Sequence, residues 1–234
     1  MKIYVLSLPS DTARREPLER QLQSLGLDYE IFDAVDGRQG LAEEYHDRVD
    51  FDGARRTLGR GLGSGEAACA ISHALIYEKI LREGNEWTLV LEDDVAVDAN
   101  LVQILANKTY QQCDLLLLNH RFSYVWPFSK TKLFDDFHSY RLLLPCWMTA
   151  GYVISRRGAE YLLRHTRPIR STADWPGDIT EISARVCVPV LVQHPNESAS
   201  TLARERTRGE RRGRFFKASY WNRWLRKRIS SRIA

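Results

Sequence analysis

The stretch Trp87–Val95, WTLVLEDDV, constrains the fold most, because a buried strand there ends in three consecutive acids. Residues 88–91 form a short apolar, partly β-branched run, which is typical of a strand covered on both faces in an α/β sheet. Glu92, Asp93 and Asp94 follow where that strand leaves the sheet. Ligands of open α/β sheets bind outside the carboxyl ends of the strands, so these carboxylates are placed to hold a divalent cation. A solvated acidic turn is the alternative, and this stretch alone favours neither.

The start of the chain predicts a β-α-β unit. The run KIYVLSL at residues 2–8 is rich in β-branched and aromatic residues, a helix with one apolar face follows as far as Leu25, and residues 29–32 form the next strand. Such a unit favours a parallel sheet with right-handed crossovers. The length of 234 residues and the 44% hydrophobic content are enough for a sizeable folded core.

Two features of this unit suit a nucleotide. Arg14 and Arg15 lie in the turn and helix after the first strand, where a phosphate can bind, although solvated arginines are the alternative because no glycine-rich fingerprint is present. Asp33 ends the second strand, where an acid can accept a hydrogen bond from a ribose hydroxyl.

The clearest helix is predicted over residues 64–83, with Ser64 as its N-cap. Glu66, Cys69 and His73 fall on one face of this helix, because seven residues make about two turns. Glu66 and His73 can therefore point to one place. A purely structural role is the alternative for His73.

Further strands are predicted at residues 114–119, 149–155 and 186–192, and further helices at residues 101–105 and 157–165. Residues 38–63 have no clear periodicity and are predicted to be one long loop. Residues 121–147 are dense in aromatic side chains, which suit either core packing or stacking on the apolar faces of sugars.

Polar side chains also occur on two late segments. Asp174 and Asp178 lie in the loop STADWPGDIT, where a general base can be displayed. His194 comes just after the last predicted strand, which places it at an edge of the sheet.

The cysteines are widely scattered, at Cys69, Cys113, Cys146 and Cys187, and so suggest neither a disulfide framework nor a zinc knuckle. A reducing cytoplasm fits this pattern best. The first strand begins almost at Met1, and no window approaches the roughly 18 apolar residues of a membrane span, so secretion is not expected.

Charge divides the chain into two parts. Residues 204–234 carry 12 Lys/Arg and two Asp/Glu, a net charge of +10, whereas residues 1–203 carry 22 and 28, a net charge of −6. A basic tail of this kind fits a polyanionic partner. On a helix its apolar residues fall on one side, which favours an anionic membrane surface over RNA or DNA, because the body has no nucleic-acid motif.

Six blocks in order resemble one family. They are YVLSL with Arg14/Arg15, FDAVDG, GEAACAISH, LVLEDDV, AGYVISRRGAEYL and the Asp174 loop. Together they resemble the family 25 glycosyltransferases of lipooligosaccharide and lipopolysaccharide biosynthesis over about residues 1–200. The resemblance implies a GT-A-like α/β fold with a mostly parallel central sheet and a nucleotide-sugar donor, commonly UDP-galactose. It also implies an inverting transfer and an acidic motif that works with Mn²⁺ or Mg²⁺.

The resemblance assigns roles to single residues. Asp94 is expected to be the principal metal ligand, with Asp93 and Glu92 sharing water-mediated metal contact and ribose recognition. His194 is a further candidate ligand. Asp174 matches the family's acid in its loop and is the first candidate for the base, with Asp178 second. The nucleoside site is expected to be lined by Leu6, Ser7, Asp33 and Ala34, and Arg14 is a further candidate for donor binding. Glu66 and His73 are expected to help shape the donor or acceptor pocket.

The expected organisation is a glycosyltransferase domain over residues 1–203 and a basic amphipathic helical tail over residues 204–234. The expected acceptor is a lipid-linked oligosaccharide, and the expected location is the inner face of the cytoplasmic membrane. No nucleic-acid partner is expected. A non-catalytic protein that binds a sugar nucleotide in the same fold is the alternative function.

Overall fold

Helices and strands alternate along most of the chain. The computed structural model describes residues 1–121, 123–194 and 226–233. Its helices are α1 (Thr12–Ser24), α2 (Phe51–Leu58), α3 (Ser64–Glu83), α4 (Ala99–Asn107) and α5 (Arg156–His165). Its strands are β1 (Lys2–Ser7), β2 (Glu30–Asp33), β3 (Trp87–Glu92), β4 (Leu115–Leu117), β5 (Ser123–Val125), β6 (Thr131–Phe134), β7 (Phe137–Arg141), β8 (Gly151–Ser155), β9 (Ala184–Val188) and β10 (Ser231–Ile233).

Most of these strands form one mixed sheet in the order β2-β1-β3-β8-β4-β9-β7-β6. β1 pairs in parallel with β2 and β3, and β4 pairs in parallel with β9. β8 is antiparallel to β3 and β4, and β7 is antiparallel to β6 and β9. The strands of this sheet therefore run in one direction except β8 and β7, which confirms the predicted α/β class and adds two reversed strands.

Helices cover both faces of the sheet. One face packs against α1 and α4 through a core that includes Ile3, Val5, Leu18, Leu91 and Leu101. The other face packs against α3 and α5 through a core that includes Tyr4, Ile76, Val90, Tyr152 and Leu162. Successive side chains of a strand point to opposite faces. At the end of β3, Glu92 is therefore in phase with the α3 face, and Asp93 is in phase with the α1 face.

The helix predicted over residues 64–83 is confirmed as α3 with the same bounds, but its N-cap is Gly63 and not the predicted Ser64, which is the first helical residue. The prediction of one long loop over residues 38–63 is wrong in part, because this range contains α2. The side chain of Asp50 accepts a hydrogen bond from Gly53 N at 2.7 Å, and Gly59 ends the helix with φ +72°. α2 is only eight residues long and buries only two small residues, so its apolar face is too short to stand out as a helical period.

The aromatic segment at residues 121–147 contains β5, β6 and β7. Phe134 and Phe137 stack with ring centroids 4.6 Å apart where β6 and β7 meet. In contrast, Phe128 is 87% exposed and Trp147 is 58% exposed. Core packing therefore explains only part of the aromatic content of this segment.

Most of the basic tail lies outside the described residues, so its predicted amphipathic helix stays a prediction. Residues 226–229 are helical, and β10 after them pairs antiparallel with β5. Lys227 lies over the ring of Tyr124, with Nζ 5.3 Å from the centroid. In the part of the chain that the structure describes, no helix has the length and apolar character needed to cross a membrane.

Gly37, the last residue of FDAVDG, packs directly against the first turn of α3. A Cβ at this position would lie 2.8 Å from the Cβ of Ala68 and closer still to the carbonyl oxygen of Ser64. We expect Gly37→Ala to lower the free energy of unfolding by about 1–3 kcal/mol, measured by urea denaturation. Gly61→Ala is the matched control, because nothing lies within 4 Å of its Cβ. Equal losses for the two variants would contradict the close approach of Gly37 to α3.

Candidate functional site

The carboxyl ends of β1, β2 and β3 lie side by side. Ser7 of β1 is in register with Asp33 of β2, and Leu6 is in register with Glu92 of β3. The backbone N–H of Ala34 donates to the carbonyl of Ser7 at 2.9 Å, which extends the pairing by one residue. The three strand ends thus bring sequence-predicted site residues to one edge of the sheet, where ligands of such sheets bind.

Asp93 is held on the α1 side of this edge. Ser7 Oγ donates to Asp93 Oδ2 at 2.8 Å, and Arg14 Nε lies 2.9 Å from Asp93 Oδ1. Both carboxylate oxygens therefore have partners from the first β-α unit. Arg14 makes this contact from the first turn of α1, where the sequence predicted a phosphate-facing arginine.

Asp94 follows β3 and faces different partners. Its Oδ2 accepts a hydrogen bond from Arg14 Nη2 and lies 3.3 Å from His194 Nε2. Its Oδ1 is buried and has no hydrogen-bond partner among the described residues. Burying a carboxylate oxygen without a partner is costly. This oxygen is therefore available to a ligand.

The two neighbouring acids differ in their electrostatics. Burial raises the pKa of the Asp93 carboxyl, and the hydrogen bond from Ser7 and the charge of Arg14 do not fully offset that increase. Burial also acts to raise the pKa of Asp94, but His194 and Arg14 outweigh it and lower the pKa below its ordinary value. In turn, the two acids outweigh the effect of burial on Arg14 and raise its pKa.

Glu92 turns to the α3 side, as the alternation along β3 predicts. Thr149 Oγ1 donates to Glu92 Oε1 at 2.8 Å, and His73 Nε2 lies 3.6 Å from the same oxygen. The sequence did not predict Thr149 as a site residue, because its position beside Glu92 depends on the antiparallel pairing of β8 with β3. His73 is only 2% exposed, so its predicted contact with the donor is limited by its burial.

Glu92, Asp94 and His194 form a candidate cation site. One ligand atom from each residue can be chosen so that all three lie within 4.8 Å of one another. Carboxylate oxygens and an imidazole nitrogen suit Mn²⁺, and the unpartnered Asp94 Oδ1 fits the same role. Asp93 is outside this group, and its assignment as a ligand stays a prediction.

Asp174 is held by the segment that precedes β8. The backbone N–H of Met148 donates to Asp174 Oδ1 at 3.0 Å. Met148 has φ +88° and Trp175 has φ +65°, conformations that side-chain-bearing residues rarely adopt and that concentrate at functional sites. Residues 147–149 include the exposed indole of Trp147, the backbone N–H that binds Asp174 and the hydroxyl of Thr149 that binds Glu92.

Cys69 of α3 lies near acids that come from separate parts of the chain. Its thiol has a pKa well above the ordinary value, first because of burial and then because of the negative charges of Glu92, Asp174, Glu66 and Asp94. Acids from distant parts of the chain thus act on one thiol. The sequence placed Cys69 on the same helical face as Glu66 and His73, which was the available signal for its position.

Other predicted site residues have mainly structural contacts. Glu66 is buried and forms a two-pronged ion pair with Arg60, with N–O distances of 2.6 and 2.7 Å. Leu6 is 6% exposed and packs in the core beside α3. Asp178 accepts hydrogen bonds from the backbone N–H and the hydroxyl of Thr180. The roles predicted for these three residues stay predictions.

Residues 1–178 match the family described as "Glycosyltransferase family 25 (LPS biosynthesis protein)". This match covers most of the chain. The chain belongs to glycosyltransferase family 25. The matched range contains β1–β3, the Glu92–Asp94 acids and the Asp174 loop, whereas His194 lies beyond it.

Similar proteins come from bacteria and insects. A "Putative glycosyltransferase" of Haemophilus influenzae is 25% identical over 89% of this chain and 78% of its own length. A "Glycosyltransferase 25 family member" of Aedes aegypti is 28% identical over 84% of this chain and 32% of its own length. The "Lacto-N-neotetraose biosynthesis glycosyltransferase LgtE" of Neisseria gonorrhoeae is 31% identical over 70% of this chain. The chain spans 60% of that relative.

Two solved structures show more distant likeness. "A197 from STIV" has a TM-score of 0.40 and 13% identity over 80% of this chain and 81% of that one. A glycosyltransferase "involved in the glycosylation of the major capsid of PBCV-1" has a TM-score of 0.32 and 13% identity over 69% of this chain and 63% of that one.

The opposite pKa directions of Asp93 and Asp94 predict opposite pH dependence of stability. The pKa of Asp in an unfolded chain is about 3.9. Folding lowers the pKa of Asp94, so its charge stabilises the fold above that pH, and the contribution is lost as the pH falls through the folded pKa. Folding raises the pKa of Asp93, so its contribution to stability decreases as the pH rises from about 3.9 through the folded pKa.

Urea denaturation of the wild type, Asp93→Asn and Asp94→Asn across the acidic range measures this difference. The stability advantage of the wild type over Asp94→Asn is expected to grow as the pH rises, mainly below about pH 4. The corresponding difference for Asp93→Asn is expected to shift against the wild type, mainly above that pH. Slopes of the same sign for both variants would contradict the electrostatics of the site.

Proposed function

We propose that the chain is an inverting, divalent-cation-dependent glycosyltransferase of GT-A-like fold that transfers a hexose from a UDP-sugar. The observation that supports this proposal most directly is the grouping of Glu92, Asp94 and His194 at the sheet edge where β1 and β2 also end. UDP-galactose is the first donor to test. A lipid-linked oligosaccharide of the lipooligosaccharide or lipopolysaccharide class is the proposed acceptor.

The edge of the sheet offers the groups that a nucleotide sugar requires. A bound Mn²⁺ or Mg²⁺ would neutralise charge on the departing diphosphate. Glu92, Asp94 and His194 would hold that cation. Asp33 ends β2 in an exposed position, where its carboxylate can accept a hydrogen bond from a ribose hydroxyl. Contacts with Asp93 and Asp94 hold the positively charged side chain of Arg14 at the same edge.

Inversion requires a base that takes a proton from the acceptor hydroxyl as that oxygen attacks the anomeric carbon. Asp174 is the proposed base, and Asp178 is the second candidate. Met148 N–H holds Asp174 Oδ1 at 3.0 Å and thereby orients the carboxylate. The 58% exposed indole of Trp147 lies next along the chain and offers an apolar face to an acceptor sugar.

A transfer assay with a panel of UDP-sugars, lipooligosaccharide acceptors and Mn²⁺ tests this proposal. Asp174→Asn is expected to lower kcat by about 10²- to 10⁴-fold, because general-base catalysis contributes about that much. Its binding of Mn²⁺ and UDP is expected to be unchanged. Asp94→Asn is expected to lose both transfer and Mn²⁺ binding, whereas the exposed control Asp28→Asn retains both.

Near-normal transfer by a folded Asp174→Asn variant would contradict the assignment of the base. Donor binding by the wild type without transfer or donor hydrolysis across the panel would favour the alternative of a non-catalytic sugar-nucleotide-binding protein. Full activity in the presence of a chelator would contradict the cation requirement.

We also propose that residues 204–234 bring the enzyme to an anionic membrane surface, at the inner face of the cytoplasmic membrane. The net charge of +10 on this tail supports the proposal. Each basic residue near such a surface contributes about 1 kcal/mol. Replacing Arg211, Arg212 and Arg214 by Gln is therefore expected to weaken binding to phosphatidylglycerol vesicles by about 100-fold in flotation assays.

The matched control replaces three arginines of the body, Arg55, Arg56 and Arg82, by Gln, and is expected to leave flotation unchanged. Equal losses for the two variants, or no recruitment of the wild type, would contradict the membrane role of the tail. Preferential binding to RNA over vesicles would support the nucleic-acid alternative.

A further inference from the structure

A line of buried rings leads to the carboxylate of Glu92. His73 Nδ1 of α3 lies 2.9 Å from the hydroxyl oxygen of Tyr152 in β8, which lies 3.5 Å from the hydroxyl oxygen of Tyr77. His73 is 2% exposed, and both tyrosines are fully buried. The other ring nitrogen of His73, Nε2, lies 3.6 Å from Glu92 Oε1.

The surroundings of His73 favour a proton on Nε2. Nε2 is buried and has no hydrogen-bond partner among the described residues, and a carboxylate oxygen is the polar atom that it faces. A lone pair on Nε2 would be repelled by that oxygen, whereas an N–H would be attracted to it. With the proton on Nε2, Nδ1 is an acceptor, and its 2.9 Å contact is a hydrogen bond donated by Tyr152.

The tyrosines keep the protons that this arrangement needs. Burial is the largest cause that raises the pKa of Tyr152 and the pKa of Tyr77 well above the ordinary value. Tyr152 has a single hydroxyl proton, which the structure directs to the hydroxyl oxygen of Tyr77 at 3.5 Å, whereas His73 Nδ1 lies nearer, at 2.9 Å. When the proton of His73 is on Nε2, Tyr152 donates to this nearer acceptor, and the line runs from Tyr152 through His73 to Glu92.

Glu92 is held through one of its two oxygens. Thr149 Oγ1 donates to Oε1 at 2.8 Å, and His73 Nε2 faces that same oxygen. The hydrogen bond from Thr149 and the nearby Nε2 of His73 both act on Oε1, which leaves Oε2 for a cation. Partners of this kind commonly orient metal ligands and strengthen metal binding.

We propose that His73 is a positioning residue whose Nε2–H, supported by Tyr152, orients Glu92 within the cation site of Glu92, Asp94 and His194. The inference rests on the proposed cation site. Its 98% burial separates His73 from the donor sugar, so it acts through Glu92 rather than on the substrate. This role is different from the contact with the donor or acceptor pocket that the sequence predicted.

Two conservative variants of the full-length chain separate positioning from packing. The amide nitrogen of Gln reaches the place of Nε2, whereas that of Asn reaches the place of Nδ1. His73→Asn is therefore expected to weaken binding of Mn²⁺ alone by about 10- to 100-fold, measured by electron paramagnetic resonance titration. His73→Gln is expected to bind Mn²⁺ nearly as tightly as the wild type. Circular dichroism melting of each variant reports whether its fold is retained.

Equal affinities for the Asn and Gln variants would overturn the role of His73 while leaving the cation site intact. No Mn²⁺ binding by the wild type would overturn the cation site and the role of His73 together, so the two failures are distinguishable.

A measurement on the wild type covers the case in which neither variant folds. Two-bond ¹H–¹⁵N correlation spectra report the protonated nitrogen of each histidine ring. For His73 we expect the proton on Nε2, and in Tyr152→Phe we expect the signals to shift toward a mixture of tautomers. A proton on Nδ1 of His73 in the wild type would overturn the proposal without any reference to the metal.

Discussion

The compensation of buried negative charge at the end of β3 is the constraint on which the site depends. Taking a carboxylate out of water is costly unless other groups of the protein replace the lost hydration. Each acid finds its partners in a different part of the chain. Asp93 uses the first β-α unit, Asp94 adds His194 from the segment after β9, and Glu92 uses Thr149 and His73. The charges of the three acids are thus compensated only when β1, α1, α3 and the segments beside β8 and β9 have come together around the end of β3.

The helices on the two faces of the sheet make this division possible. Alternation along β3 sends Glu92 toward α3 and Asp93 toward α1. Arg14 is the only group with contacts to both Asp93 and Asp94 among the described interactions, so it limits the repulsion between them. The described contacts of Glu92 are with Thr149 and His73 and not with an arginine, so its charge is available to a cation.

Local patterns in the sequence predicted the parts of the fold that depend on local physics. The length of α3 is visible in residues 64–83, although its N-cap is Gly63 and not the predicted Ser64. The alternation along β3 accounts for the opposite directions of Glu92 and Asp93. The β-α-β start predicted the parallel edge that carries Ser7 and Asp33. The family resemblance added the expectation of a sugar nucleotide, and the match over residues 1–178 confirmed the family itself.

The missed features depend on pairings between distant segments. Whether β8 runs parallel or antiparallel to β3 is not encoded in the strand TAGYVIS alone, yet this direction places Thr149 beside Glu92 and Tyr152 beside His73. α2 is stabilised by its cap at Asp50 and by Arg170, whose Nε lies 2.7 Å from Asp50 Oδ2 across 120 positions of sequence. Periodicity cannot report such contacts, because it compares only neighbours along the chain.

Anomalous diffraction at the manganese edge, from crystals grown with Mn²⁺ and UDP, tests the central claim most directly. We expect a peak within coordinating distance of Glu92, Asp94 and His194, with Glu92 bound through Oε2 and with UDP phosphate oxygens completing the shell. A peak coordinated by Asp93 in place of Glu92, or a UDP complex whose Mn²⁺ lies away from the end of β3, would contradict it.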